Sequence, residues 1–193
     1  MLKKQQFVAT ALVLVAFALN FVSCDNKKTS NGDEKDVDTI SIQANDSAIY
    51  GVIGDGTSMH VLEVKTDDGE TLTFAIDQDS TADVQGGLLA GDRVTLVAYP
   101  KNQNADMPEV KKMINLSTLA GKWTSIDRNF EIMDDGSVKS NTAGATETQP
   151  YTAWTMSNAK LILNTDTFDV LSLAADSMQL EKADGVFSYK RVK

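Results

Sequence analysis

From Thr39 to the C-terminus, apolar and polar residues alternate in short runs, and Asp-Gly pairs or other turn residues separate one run from the next. A period of two puts every second side chain on one face of an extended chain, so each run predicts a half-buried strand with antiparallel neighbours. The clearest pair is Val61–Thr66 and Thr71–Ile76, in which Leu72, Phe74 and Ile76 share one face and Asp68-Gly69 supplies the turn. Ala48–Ile53 precedes this hairpin. Val94–Tyr99, stopped by Pro100, and Val110–Leu116 follow it as further strands, and Ser80–Ala90 reads as one short helix between.

Beyond Leu119 the alternation resumes. Asn129–Met133 turns at Asp134-Asp135-Gly136 into Ser137–Lys139, and Tyr151–Thr155, Lys160–Leu163, Phe168–Leu173, Met178–Glu181 and Val186–Val192 follow, with Asp184-Gly185 at the last hairpin. The pattern predicts an all-β chain of two small antiparallel β-barrels, over residues 39–117 and 118–193. In the second barrel the inward set is bulky: Phe130, Ile132, Trp154, Leu161, Leu163, Phe168, Val170, Met178, Leu180, Phe187 and Tyr189. Eight strands enclose a space that such side chains can just fill, so a packed core is favoured over a pocket.

The N-terminal stretch has a different pattern. Lys3 and Lys4 form a basic start, and an apolar run from Phe7 to Leu19 follows, shorter than the roughly 20 residues of a membrane span. It ends in Phe21-Val22-Ser23-Cys24, which resembles the lipobox of bacterial lipoproteins and implies a signal peptide over residues 1–23 and an acylated Cys24. Two or more acyl chains, at about 0.8 kcal/mol for each buried methylene, hold a protein on a membrane without a spanning helix. Residues 24–38 carry one aliphatic side chain, Val37, among charges, Ser, Asn and Gly, and read as a flexible tether. Its reach is about 20 Å. The expected address is the cell envelope, lipid-anchored at the outer membrane and facing either the periplasm or the surface.

Charge narrows the partners. Loss of residues 1–23 removes two lysines and no acid, moving the formal charge from −9 to −11. An acidic chain without a basic, aromatic-interleaved groove is not expected to bind nucleic acid. Cys24 is the only cysteine, so once acylated it leaves none for a disulfide.

Ala48–Ser117, with three strands, a helical connection and two more strands, resembles the OB fold. Residues 119–193, opened by Gly121-Lys122-Trp123 and closed by a strand bearing Tyr189-Lys190-Arg191, resemble the short lipocalin-like domains of secreted lipoproteins of the Bacteroides group. That resemblance implies a barrel floor in which Trp123 lies across the closed end, Arg191 packs over its ring and Gly121 precedes them, all three structural and none in contact with a ligand.

Catalytic chemistry is not expected, and neither a cofactor nor a metal is implied. The single histidine, His60, sits at a strand start, with no free thiol or nucleophile elbow to accompany it. Asp77-x-Asp79-x-Thr81-x-Asp83 has the alternate oxygens of a calcium loop, but Ala82 replaces the glycine and Leu88 stands where the bidentate glutamate belongs. The leading reading is a non-catalytic binding or accessory module whose partner is a protein, a glycan or a small molecule. Its rivals are a carrier of a small apolar molecule in the second barrel and a structural or inhibitory protein acting through protein contacts.

Overall fold

In the computed structural model, which describes residues 46–76, 82–140 and 150–193, the alternation becomes two sheets joined by one turn of helix. The first contains β1 (Ile49–Ile53), β2 (Val61–Thr66), β3 (Thr71–Ala75), β4 (Asp83–Gln85), β5 (Arg93–Ala98) and β6 (Val110–Asn115). The helical turn is α1 (Leu116–Leu119). The second sheet contains β7 (Gly121–Thr124), β8 (Asn129–Ile132), β9 (Val138–Ser140), β10 (Trp154–Ser157), β11 (Lys160–Leu163), β12 (Asp166–Leu173), β13 (Ser177–Lys182) and β14 (Gly185–Arg191).

The first sheet runs β3-β2-β1-β5-β6-β4. Its two flanks approach each other where Ala75 and Glu109 form a parallel bridge and the Ala75 N–H donates to the carbonyl of Pro108 at 2.9 Å. Leu62, Val64, Phe74, Val94, Leu96, Val110 and Met113 fill the space inside. The helix predicted over Ser80–Ala90 is corrected where the chain is described: Asp83–Gln85 is a strand lying parallel to β6. Gly86 and Gly87 then take φ of +91° and +85°, a conformation a right-handed helix cannot contain. Residues 77–81 of the calcium-loop spacing lie outside the described residues, and Asp83 pairs with Lys112 at 2.7 Å.

The second sheet, β10-β11-β12-β13-β14-β7-β8-β9, is an up-and-down antiparallel meander curled into a nearly closed eight-stranded barrel. β14, the last strand, pairs with β7, the first. At the seam the Val138 N–H donates to the carbonyl of Thr152 and the Trp154 N–H to that of Gly136, each at 2.8 Å. The strand predicted at Tyr151–Thr155 begins later, at Trp154. The reason lies in Asn164, whose side-chain oxygen accepts from the backbone N–H groups of Thr152 and Ala153 and so takes the donors a ladder would use.

The described residues form one compact unit. The outer face of the first sheet packs on the barrel wall: Tyr50 shares its one hydroxyl proton between the Asp46 carboxylate at 2.6 Å and the carbonyl of Met156 at 2.9 Å, and Lys112 donates to the carbonyl of Val170 at 2.8 Å. The Gly86 N–H donates to the carbonyl of Leu173, whose own N–H donates to Gln85. Asn115 ends β6 one residue short of the predicted boundary because its side chain caps α1. Its oxygen accepts from the Thr118 N–H at 2.8 Å, while its amide donates to Asp92 at 2.7 Å and to the Gly87 carbonyl at 3.1 Å. Asn115 is fully buried, so these bonds replace water completely.

Asn115→Ala leaves the Thr118 N–H without its cap and Asp92 without its amide donor, a loss of about 2 to 3 kcal/mol. Urea unfolding of the full chain should show the fall as an earlier midpoint with an unchanged slope.

Candidate functional site

Three places in the barrel can hold function: its floor, its interior with the opposite mouth, and its outer wall. The floor gathers the residues of the Gly-x-Trp pattern with the last strand. Register sets Arg191 directly opposite Trp123. The guanidinium carbon lies 4.3 Å from the indole centroid, a stacked cation–π contact worth about 0.5 to 2 kcal/mol. Arg191 also donates from Nε to the carbonyl of Ala175 at 2.6 Å, from Nη1 to that of Ala120 at 2.8 Å and from Nη2 to that of Thr118. Burial lowers its pKa, yet every contact named here suits the charged form.

Trp123 is 1% exposed, and its Nε1 donates to the carbonyl of Leu119 at 2.8 Å. Gly121 has φ of +128°, and a Cβ there would run into Nη1 of Arg191. The glycine thus leaves space for the arginine, and the arginine in turn satisfies carbonyls at the end of α1. Gly121, Trp123 and Arg191 come together in one place, with their polar groups turned toward the chain's own backbone. Cys24 lies outside the described residues.

The interior is occupied by side chains. Phe130, Ile132, Leu161, Leu163, Phe168, Val170, Met178, Leu180 and Tyr189 are all buried, and Trp154 and Phe187 are half-buried against them. Phe130 meets Tyr151 and Tyr189 edge-on with centroids 5.7 and 5.1 Å apart, and Phe168 meets Phe187 at 6.1 Å. Sequence reasoning missed Val138, Tyr151, Met156 and Leu173, which join this core.

It also missed the mouth. There the Arg128 guanidinium lies 4.2 Å from the centroid of Tyr151, and Lys182 sits over Phe168 and Phe187 at 5.6 and 5.9 Å while pairing with Asp166 and Asp184. Met178, Leu180 and Lys182 have the same parity along β13, so the inward position of Lys182 was available from the alternation. Burial raises the pKa of Tyr151, against the opposing pull of Arg128, and burial pushes Tyr189 up to about 12. Tyr50, at the interface between the sheets, is raised by burial and by its hydrogen bond to Asp46. These phenols are held neutral by packing.

The outer wall carries a recess of about 560 Å³ over β7, β8 and β9. Lys122, Thr124, Asn129, Glu131, Lys139 and Val192 line it, and Ser140 and the buried Trp123 and Phe130 complete it. His60 is exposed in the bend before β2, where its carbonyl accepts from the Ile76 N–H at 3.0 Å. Among the described residues, no three of His, Cys, Asp and Glu are grouped to hold a metal.

No protein-family model, curated protein or solved structure matches the chain.

Trp123→Ala removes a buried aromatic and should destabilise the protein by about 3 to 5 kcal/mol, read by urea unfolding. In the wild type, acrylamide should barely quench the fluorescence of Trp123. A phenol whose pKa is raised on folding stabilises the native state fully below the unfolded value of 10.0, and that contribution fades as pH rises toward about 12, the value at Tyr189. Absorbance at tyrosinate wavelengths, followed during alkaline unfolding, should show Tyr50, Tyr151 and Tyr189 ionising together with loss of structure.

Proposed function

We propose that this chain is a non-catalytic lipoprotein of the cell envelope, held by an acylated Cys24 and the tether over residues 24–38, and that it works as a binding or accessory module through its outer surfaces. The observation that carries this reading is the barrel interior, which is filled by large side chains and flanked at either end by a cation stacked on aromatic rings. A ligand the size of a fatty acid would have to displace that core, which counts against the carrier reading. The buried tyrosines fit packing rather than proton transfer, because burial moves their pKa values further above neutral pH and keeps the phenols uncharged.

Within this reading the first sheet is an OB-like barrel and the second a lipocalin-like one. The first is supported by the order β3-β2-β1-β5-β6 and the parallel bridge between Ala75 and Glu109. The second is supported by the meander and by the stacking of Arg191 on Trp123 beside Gly121. The charge of −11 after loss of residues 1–23 disfavours nucleic acid as the partner.

Contact with a protein has its own support. Ile126, at the tip of the β7–β8 turn, is 97% exposed, and Val186, at the start of β14, is 53% exposed. A partner that covered these side chains would gain by removing their apolar surface from water.

Metabolic labelling with a fatty acid, followed by intact mass, tests the anchor. The mature chain should begin at Cys24 and carry covalent lipid, and Cys24→Ser should lose both the label and its membrane attachment. A wild-type chain without lipid contradicts the proposal. Native mass spectrometry of the gently extracted protein should show no stoichiometric apolar molecule beyond the anchor, and finding one would make the carrier reading correct.

A further inference from the structure

The recess on the barrel's outer wall has a charge pattern that distinguishes among ligands. Outward positions on adjacent strands meet in register: Lys122 on β7 is opposite Glu131 on β8, and Glu131 is opposite Lys139 on β9. Two ammonium groups therefore flank one carboxylate across two strand spacings, a span of about 10 Å between backbones. Among the described residues none of the three is in an ion pair. Lys190 extends the basic face, since it is opposite Thr124. Asp135, in the turn before β9, lies close enough to Lys139 to have its own carboxyl lowered, chiefly through Ser137 and in small part through that lysine.

Beside the charges is a fixed polar pair. The Thr124 hydroxyl donates to the Asn129 side-chain oxygen across the β7–β8 register, leaving the other end of that amide open. This combination is poorly suited to a bare inorganic anion, because Glu131 would face it with like charge. It is equally poorly suited to a wholly apolar molecule, because Val192 is the one exposed apolar side chain in the lining. A hydroxyl-rich ring with an anionic group answers both parts of the pattern. Its carboxylate or phosphate pairs with a lysine, and its hydroxyls donate to Glu131 and accept from the amide of Asn129. The volume of about 560 Å³ lies within the usual range for small-ligand sites.

We propose that the recess over β7, β8 and β9 binds an anionic carbohydrate, recognised by Lys122 and Lys139 through its charge and by Glu131 and Asn129 through its hydroxyls. The proposal rests on the reading of this chain as a binding module and names the ligand class for its exterior. Such a sugar can arrive as a soluble acidic oligosaccharide or as the phosphorylated sugar headgroup of a glycolipid, and the two sources share the same site chemistry.

The test uses the full, lipid-bearing chain in detergent micelles, titrated calorimetrically with three probes. They are tetragalacturonate for the soluble source, a phosphorylated glycolipid in the same detergent for the membrane source, and maltotetraose as the neutral control. At least one acidic probe should bind, maltotetraose should not, and added salt should weaken the binding. Lys122→Gln combined with Lys139→Gln should weaken it at least tenfold. Glu131→Gln should weaken the acidic sugar while improving the binding of inorganic phosphate, a reversal that simple loss of structure cannot produce. All three substitutions lie on the outer wall, and unchanged near-ultraviolet circular dichroism verifies the fold. Failure of both acidic probes, equal binding of maltotetraose, or affinity unchanged in the double variant overturns the proposal. Intact mass on the same preparation reads the lipid at Cys24 independently, so failure of this site is distinguishable from failure of the anchored-module reading.

Discussion

The guanidinium of Arg191 is the contact on which the arrangement of this protein depends most. One planar cation covers the indole of Trp123 and donates to carbonyls at Thr118, Ala120 and Ala175. Two of those carbonyls belong to the segment that leads from the first sheet into the barrel. The same short segment is held from the other side by Asn115, by the bond from the Arg93 N–H to Ser117 Oγ and by the Thr118 hydroxyl on Gly86. The connection between the sheets is thus clasped from both sides. Closing the barrel floor and seating the first sheet both draw on the polar groups of residues 115–121.

That clasp explains which parts of the fold were legible in advance. Alternation fixes the strands wherever one face is buried and the other solvated, and Lys160–Leu163 appears as predicted. The meeting of glycine, tryptophan and arginine was implied by the resemblance to lipocalin-like domains and not by any local pattern, and Arg191 does stack on Trp123 beside Gly121. The failures have physical causes. Asp83–Gln85 looked like part of a helix because its partner, β6, lies about 30 residues further along the chain, and parallel pairing leaves no local mark. Residues 151–153 looked like strand because nothing in their own sequence reveals that Asn164 takes their N–H groups.

The candidate sites divide in a parallel way. Arg128 over Tyr151 depends on how two segments distant in sequence meet, which no local pattern encodes. The recess on the outer wall depends on register, since Lys122, Glu131 and Lys139 become neighbours only once β7, β8 and β9 are paired. An acidic chain therefore presents a mixed, locally basic surface that its net charge conceals. With the interior given over to packing, such outward-facing groups are what the barrel can offer a partner.

The central claim is that the barrel is a filled body sealed at its floor, and hydrogen exchange of the Trp123 indole tests it most directly. In the native full chain the Nε1–H, bonded to Leu119 beneath the Arg191 cation, should exchange only through global unfolding, with the same protection as the slowest amides of β13 and β14. Exchange of that proton within seconds, while those amides stay protected, would show an open floor and contradict the account.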